Sequence, residues 1–210
     1  MYVLHYWPDT ASTMVRLVLE DLGLPYEARL IDREGGELTS AAYRTMNPLG
    51  QIPAFETPDG MMFETAAILL YLSERHGLGP AAKDRAQFLK WLFFISTNLH
   101  TNVLQLFYPE RTAGPDNTAA VVSHAAAKVA NHLTILNQLV DTDAPNFLSD
   151  QQPTLLGYYL AVLMRWIAND FPSTNYPALH RILVFLEQRP ATQRCAEAEA
   201  LGPTPFTQPS

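Results

Sequence analysis

Glu64 and Thr65 put an acid and a hydroxyl side by side just before an apolar stretch of helical period, Ala67, Ile68, Leu70, Tyr71 and Leu72. A helix start offers exposed N–H groups and a partial positive charge to an anion, and Glu64 supplies the opposite charge beside it. A zwitterionic ligand fits between the two; the plainer reading is that the pair only caps the helix. Upstream, Ile52-Pro53-Ala54-Phe55 reads as the beginning of a strand. Proline cannot donate to a sheet ladder, so this strand starts at an edge or after a turn, where free backbone groups can receive an extended peptide. Asn47-Pro48-Leu49-Gly50 has turn composition, and Thr57-Pro58-Asp59-Gly60 is a hairpin signal leading to a second strand through Met61, Met62 and Phe63. Turn, proline, hairpin, acid-hydroxyl pair and helix thus follow one another within residues 47–72.

The elements that must position this stretch lie on both sides of it. Tyr2-Val3-Leu4-His5-Tyr6 is a short β-prone run ended by a loop at Trp7-Pro8-Asp9-Thr10. A helix starting at Ser12 or Thr13 runs to Leu22, with Val15, Val18, Leu19 and Leu22 on one face and Gly23-Leu24-Pro25 as its stop. Residues 26–31 form a second strand, 32–39 a polar loop and 40–46 a short helix. Gly77-Leu78-Gly79-Pro80 cannot continue the helix before it and reads as a linker. Beyond it no segment reads as a strand. Phe88, Leu89, Leu92, Phe93, Ile95, Leu99, Val103 and Leu106 give residues 82–107 helical spacing; residues 118–140 and 154–168 are helical, and Pro177 and Pro190 each stand at a helix start. Residues 202–210 are proline-rich and expected to fray.

Composition narrows the class. A 48% hydrophobic, 17% charged chain of 210 residues can bury a sizeable core. No apolar run is long enough to span a bilayer, and the first residues lack a signal-type pattern, so the expected location is the cytoplasm. The single cysteine, Cys195, leaves no internal disulfide or cysteine metal cluster to expect, and reads as a structural thiol. Of the net charge of −7, most falls in residues 1–78, with 11 acids against 5 Lys/Arg. Neither half has a basic stripe, so nucleic acid is not an expected partner, nor is a membrane.

The order of signals in residues 47–72 resembles the glutathione-binding half of the glutathione transferases, with N-P-x-G-Q-I-P-A, its cis-proline here Pro53, and the acid-hydroxyl pair Glu64-Thr65. In that family the pair is more often Glu-Ser. The resemblance extends over about residues 2–201. It implies an α/β thioredoxin-like domain over residues 1–77 in the order β-α-β-α-β-β-α, a linker at 78–81, and an all-α helical-bundle domain at 82–201 that binds an apolar co-substrate, followed by a flexible tail at 202–210. It further implies that Gln51, Ile52 and Pro53 present main chain to the cysteinyl part of glutathione and that Glu64 and Thr65 hold its γ-glutamyl end. Arg33 is a candidate for the glycyl carboxylate or else a solvated loop residue.

Glutathione chemistry needs the thiolate, and lowering a thiol pKa by two units takes about 2.7 kcal/mol of differential interaction, from a donating hydroxyl or a helix N-terminus. Similar bacterial proteins carry Thr-Cys-Ser in the first loop, where this chain has Thr10-Ala11-Ser12. Loss of the cysteine argues against mixed-disulfide chemistry there and leaves Ser12 as the leading hydroxyl, with Thr10 beside it. Tyr6 is the rival, since its Tyr-Trp context resembles the tyrosine-type transferases; otherwise it is a core aromatic. In the second domain residues 91–100 resemble the family's F-I-x-x-E-L-H segment, with His100 kept and Asn98 and Thr101 in place of charged neighbours. His100, Val103 and Phe107 are the candidate co-substrate pocket. Thr154 keeps its place in a family helix cap, whereas Gly157 lacks the usual Asp.

The resemblance therefore implies a homodimeric glutathione transferase, with glutathione as co-substrate and no metal, attacking an apolar electrophile. A glutathione-binding or ligand-carrying protein with little catalysis is the alternative, and a glutathione-dependent isomerase a third, though the first loop lacks that group's Ser-Ser-Cys-Ser.

Overall fold

The computed structural model describes residues 1–209. The chain divides into two compact units, one of residues 1–79, 187–205 and 209, the other of residues 80–186 and 206–208.

In the first unit, β1 (Tyr2–Tyr6), α1 (Ala11–Asp21), β2 (Tyr26–Leu30), α2 (Ala41–Met46), β3 (Ala54–Thr57), β4 (Gly60–Met62) and α3 (Thr65–His76) follow in the expected order. They build a four-stranded sheet, β2-β1-β3-β4, with β1 parallel to β2 and antiparallel to β3, and β3 antiparallel to β4. This is the thioredoxin-like arrangement. Strand alternation splits the core between the faces. Tyr2 stacks on Phe55 at 5.2 Å and bonds His76 of α3 at 2.8 Å. Ile31, Tyr43 and Ala54, with Leu38, Met46 and Ile52 packed against them, fill the α2 side.

Two helix starts differ from the sequence reading. Thr10, and not Ser12 or Thr13, caps α1, its hydroxyl and that of Thr13 forming a reciprocal capping box. Thr65 is the first residue inside α3, and Glu64 holds the cap position without a side-chain bond. A larger difference is α10 (Pro190–Glu199), expected in the helical domain but clustered with the first unit. Every residue of α1 from Ser12 to Leu19 is buried because the sheet lies on one side and α10 packs on another. Cys195 of α10 is buried, as expected of a structural thiol.

The second unit is all-helical among the described residues: α4 (Arg85–Phe94), α5 (His100–Phe107), α6 (Glu110–Ala113), α7 (Thr118–Asp143), α8 (Leu155–Trp166) and α9 (Pro177–Glu187). The helix expected over 82–107 is interrupted by a π turn at Ile95–Leu99, where the His100 N–H reaches the Ile95 carbonyl. Thr97 donates its hydroxyl to the Phe93 carbonyl at 2.7 Å and Ser96 does so at 3.3 Å, side-chain bonds that compete with the regular ladder. α8 is buried nearly all round. Gly157 sits where an added Cβ would lie 3.1 Å from Leu186 and 3.2 Å from the Thr154 hydroxyl, a tight fit. Thr154 still caps α8, accepting from the Gly157 N–H at 3.0 Å. The tail differs from expectation: Phe206 is 1% exposed, an apolar anchor that a fraying segment would not have. No helix of the described residues is long and apolar enough to cross a membrane.

Candidate functional site

Strand register gathers the separate signals at one end of the sheet. The β1–β3 ladder pairs His5 with Ala54, so one step further Tyr6 faces Pro53. The β3–β4 ladder ends at the pair Phe55–Met62, and Pro53 and Glu64 each lie two residues beyond it at that end of the sheet. The loop after β1, the Gln51-Ile52-Pro53 segment and the head of α3 therefore share a level. The Ile52–Pro53 bond is cis, and Ile52 lies outside the β1–β3 ladder.

Asn47 fixes that segment, a role its place in a turn did not reveal. It is 3% exposed, and its amide donates to the Gln51 carbonyl at 2.8 Å and the Pro53 carbonyl at 3.3 Å, while its own oxygen accepts from the Leu49 N–H at 3.1 Å. Tyr43 adds a second bond to the Gln51 carbonyl at 2.8 Å. Burial, helped by Glu37, pushes the Tyr43 hydroxyl up to about 12, so it remains a donor. Gly50 turns the chain there at φ 63°, and an added Cβ would lie 2.7 Å from the Leu38 carbonyl.

At the head of α3, Glu64 has φ 70° and an exposed side chain, whereas Thr65 is 7% exposed. A non-glycine residue in this region costs on the order of 1–3 kcal/mol and persists where its surroundings hold it. Three N–H groups of the first turn remain available to an anion there.

The loop after β1 is tightly bonded within itself. Thr10 donates its hydroxyl to the Trp7 carbonyl at 2.7 Å, Ser12 does so at 3.1 Å, and the two hydroxyl oxygens are 2.9 Å apart. Ser12, favoured from sequence, is 0% exposed; Thr10 is the half-buried member of the pair. Tyr6 lies under the Arg16 guanidinium, 4.3 Å from its ring, which gives the tyrosine a packing partner inside the unit. Arg33 is exposed and stands 5.5 Å over the Trp7 ring, which places it beside the same loop.

Two buried charges behind the loop were invisible in the sequence. Glu199 of α10, 4% exposed, accepts from the Thr13 hydroxyl at 2.6 Å and the Asp9 N–H at 3.1 Å, and pairs with Arg16 at 2.7 Å. Burial pushes its carboxyl up from the usual range, against the opposing pull of Thr13, Arg16 and the Asp9 N–H. An acid on a polar C-terminal helix carries no sequence signal for a partner 186 residues away.

In the helical unit His100 bonds the Tyr159 hydroxyl at 2.9 Å and its ring lies 5.7 Å from Trp166. Burial lowers its pKa to about 4, so it is neutral at ordinary pH. Of the other two residues expected in the pocket, Phe107 is 47% exposed, but Val103 is 0% exposed and is a core residue of the unit. All three residues expected in the second unit lie on α5, where they differ in burial.

A thioredoxin-like domain with its site at one sheet end, followed by a helical unit, is the class that fold and site define. Residues 1–74 match the family model of the glutathione S-transferase N-terminal domain. Along nearly its whole length the chain is similar to glutathione transferases: it is 27% identical to glutathione S-transferase GstA of Escherichia coli O157:H7, covering 94% of this chain and 98% of that one. The structure of a sphingomonad glutathione S-transferase complexed with glutathione is 29% identical, with a TM-score of 0.78 over 95% of this chain and 100% of that one. A glutathione transferase homologue from Sulfitobacter, with bound glutathione, has a TM-score of 0.80 at 22% identity over 94% of this chain and 98% of that one, a likeness of fold.

Proposed function

We propose that the protein is a cytoplasmic glutathione transferase that binds glutathione at the sheet end of its first unit and uses the thiolate to attack an apolar electrophile. The observation that carries this reading is Glu64, an exposed acid in a costly backbone conformation at the level of Pro53 and Tyr6. Its charge suits an ammonium, and Thr65 with the N-terminus of α3 suits the adjoining carboxylate. Ile52, outside the ladder and pinned on both sides by Asn47, suits main-chain pairing with the cysteinyl residue, with Gln51 beside it. Arg33 suits the far carboxylate. The sulfur then falls to the loop after β1, where Thr10 is the accessible hydroxyl and Ser12 its buried support. The apolar partner falls to the helical unit, with His100 and Phe107 as its candidates.

A second reading has its own support. Both loop hydroxyls are already committed to the Trp7 carbonyl, so a protein that binds glutathione without activating it fits the same geometry. Calorimetry with glutathione and turnover of an aryl halide separate the two. The transferase reading expects binding and turnover, with Thr65→Ala weakening binding by about 1–3 kcal/mol. Binding without turnover supports the second reading, and no binding overturns both.

A further inference from the structure

We propose that Glu199 on the last helix is a positioning residue for the loop that holds the sulfur, acting through the hydroxyl of Thr13 and the N–H of Asp9. The proposal rests on the reading of that loop given above.

A threonine hydroxyl has one hydrogen. At 2.6 Å from Glu199 Oε2 the Thr13 hydroxyl gives it to the carboxylate, the stronger acceptor because it is charged. Only its lone pairs then remain for the Thr10 N–H, which lies 3.2 Å away. The carboxylate thereby fixes the orientation of the Thr13 hydroxyl, with its lone pairs toward the Thr10 N–H, and so anchors Thr10, whose hydroxyl is the accessible one. Bonds in such a chain polarise and strengthen one another. The same oxygen accepts from Asp9, a non-glycine residue at φ 54°, and so helps to hold the loop in a conformation it would otherwise leave. The Arg16 guanidinium pairs with Oε1 and the Asp9 N–H can only donate to Oε2, which matches an ionised carboxylate.

Docking of α10 does not by itself require these contacts. Arg189 pairs with Asp21 at 2.6 Å and Arg194 with Glu20 at 2.8 Å, which already tie α10 to the far end of α1. What Glu199 adds is directed at the near end, where the chain enters α1 from the loop.

The test uses the full chain with Thr13→Val, Thr13→Ser and Glu199→Gln. Amide hydrogen exchange is read without ligand, and the thiolate absorbance of bound glutathione is titrated against pH. Thr13→Val should speed exchange at Thr10 about tenfold. It should also raise the thiolate pKa by about one unit, a tenfold loss of thiolate at fixed pH, with affinity changed less than about threefold. Thr13→Ser should restore both. Glu199→Gln should loosen Thr10 and Asp9 together; if it does not fold, the Thr13 variants decide, since they leave the Arg16–Glu199 pair in place. Unchanged exchange and thiolate pKa in folded Thr13→Val overturn the proposal, as does a serine variant that restores neither. A parent protein that leaves the bound thiol at its ordinary pKa overturns the sulfur-site reading, and the ligand-free exchange separates that failure from a loop that Glu199 does not hold.

Discussion

Thr10 and Ser12 direct two hydroxyl hydrogens at one carbonyl, that of Trp7, and a thiolate arriving at the loop would compete with that carbonyl for the more accessible of them. Exchange of a neutral acceptor for a charged one favours the sulfur, since hydrogen bonds to charged acceptors are about twice as strong. Thr10→Val and Ser12→Ala should therefore each raise the pKa of bound glutathione, the first by direct loss of a donor and the second by releasing Thr10 from its neighbour. Tyr6→Phe should leave it unchanged because Arg16 covers that ring. Thiolate absorbance against pH measures all three, and a shift confined to Tyr6→Phe would make this a tyrosine-type enzyme. His100 offers a separate test on stability. Folded it titrates near 4, against 6.5 for an ordinary histidine, because burial penalises the charged ring. Above pH 6.5 both states are neutral and the shift has no effect. Below it the unfolded chain takes up a proton that the folded one refuses, so stability falls between pH 6.5 and about 4, by about 3 kcal/mol in all. Urea unfolding of His100→Gln at pH 7 and 4.5 should show a loss on acidification smaller by about 2–3 kcal/mol than in the parent.

Elements rather than single residues explain why the sheet end is ordered before any ligand arrives. The 47–53 turn is held from within by Asn47 and Tyr43, whose donors converge on the Gln51 carbonyl. Asn47→Ala leaves buried carbonyls and the Leu49 N–H without that partner, so it should cost about 1–3 kcal/mol in urea unfolding and weaken glutathione binding in calorimetry. Asn47→Asp keeps the acceptor for Leu49 but has no amide to donate, and should be no better than the alanine. α1 is held from outside: α10 runs antiparallel to it, with Arg189 and Arg194 at the Glu20-Asp21 end and Glu199 at the Thr13 end. The π turn between α4 and α5 is the corresponding irregularity in the helical unit, immediately before His100.

At the scale of the whole molecule, the homodimer that the resemblance implies expects a self-complementary apolar surface if it is two-fold. Phe93, Leu104 and Val122 of the helical unit, each more than a third exposed, are the apolar side chains there that such a surface could use. Sedimentation at micromolar concentration should give twice the chain mass of 23.5 kDa, and a monomer there counts against the dimer. The sequence by itself determined the order of elements in the first unit, the helical character of the second and the place of the Glu64-Thr65 pair. Each of those follows from local patterns: period 2 or 3.6, proline and glycine punctuation, and a charged pair before an apolar helix. Local pattern also set β1 at Tyr2–Tyr6 and placed Pro177 and Pro190 at helix starts. It misplaced the cap of α1, because Thr10 and Ser12 are chemically alike and only backbone geometry separates them. Tertiary structure alone decided that α10 belongs with the first unit, that Val103 and Phe206 are core, that Ser12 is enclosed and that Asn47 and Glu199 stand behind the site. Those facts depend on contacts between residues far apart in the chain, and periodicity carries no information about which distant surface a buried polar side chain will meet.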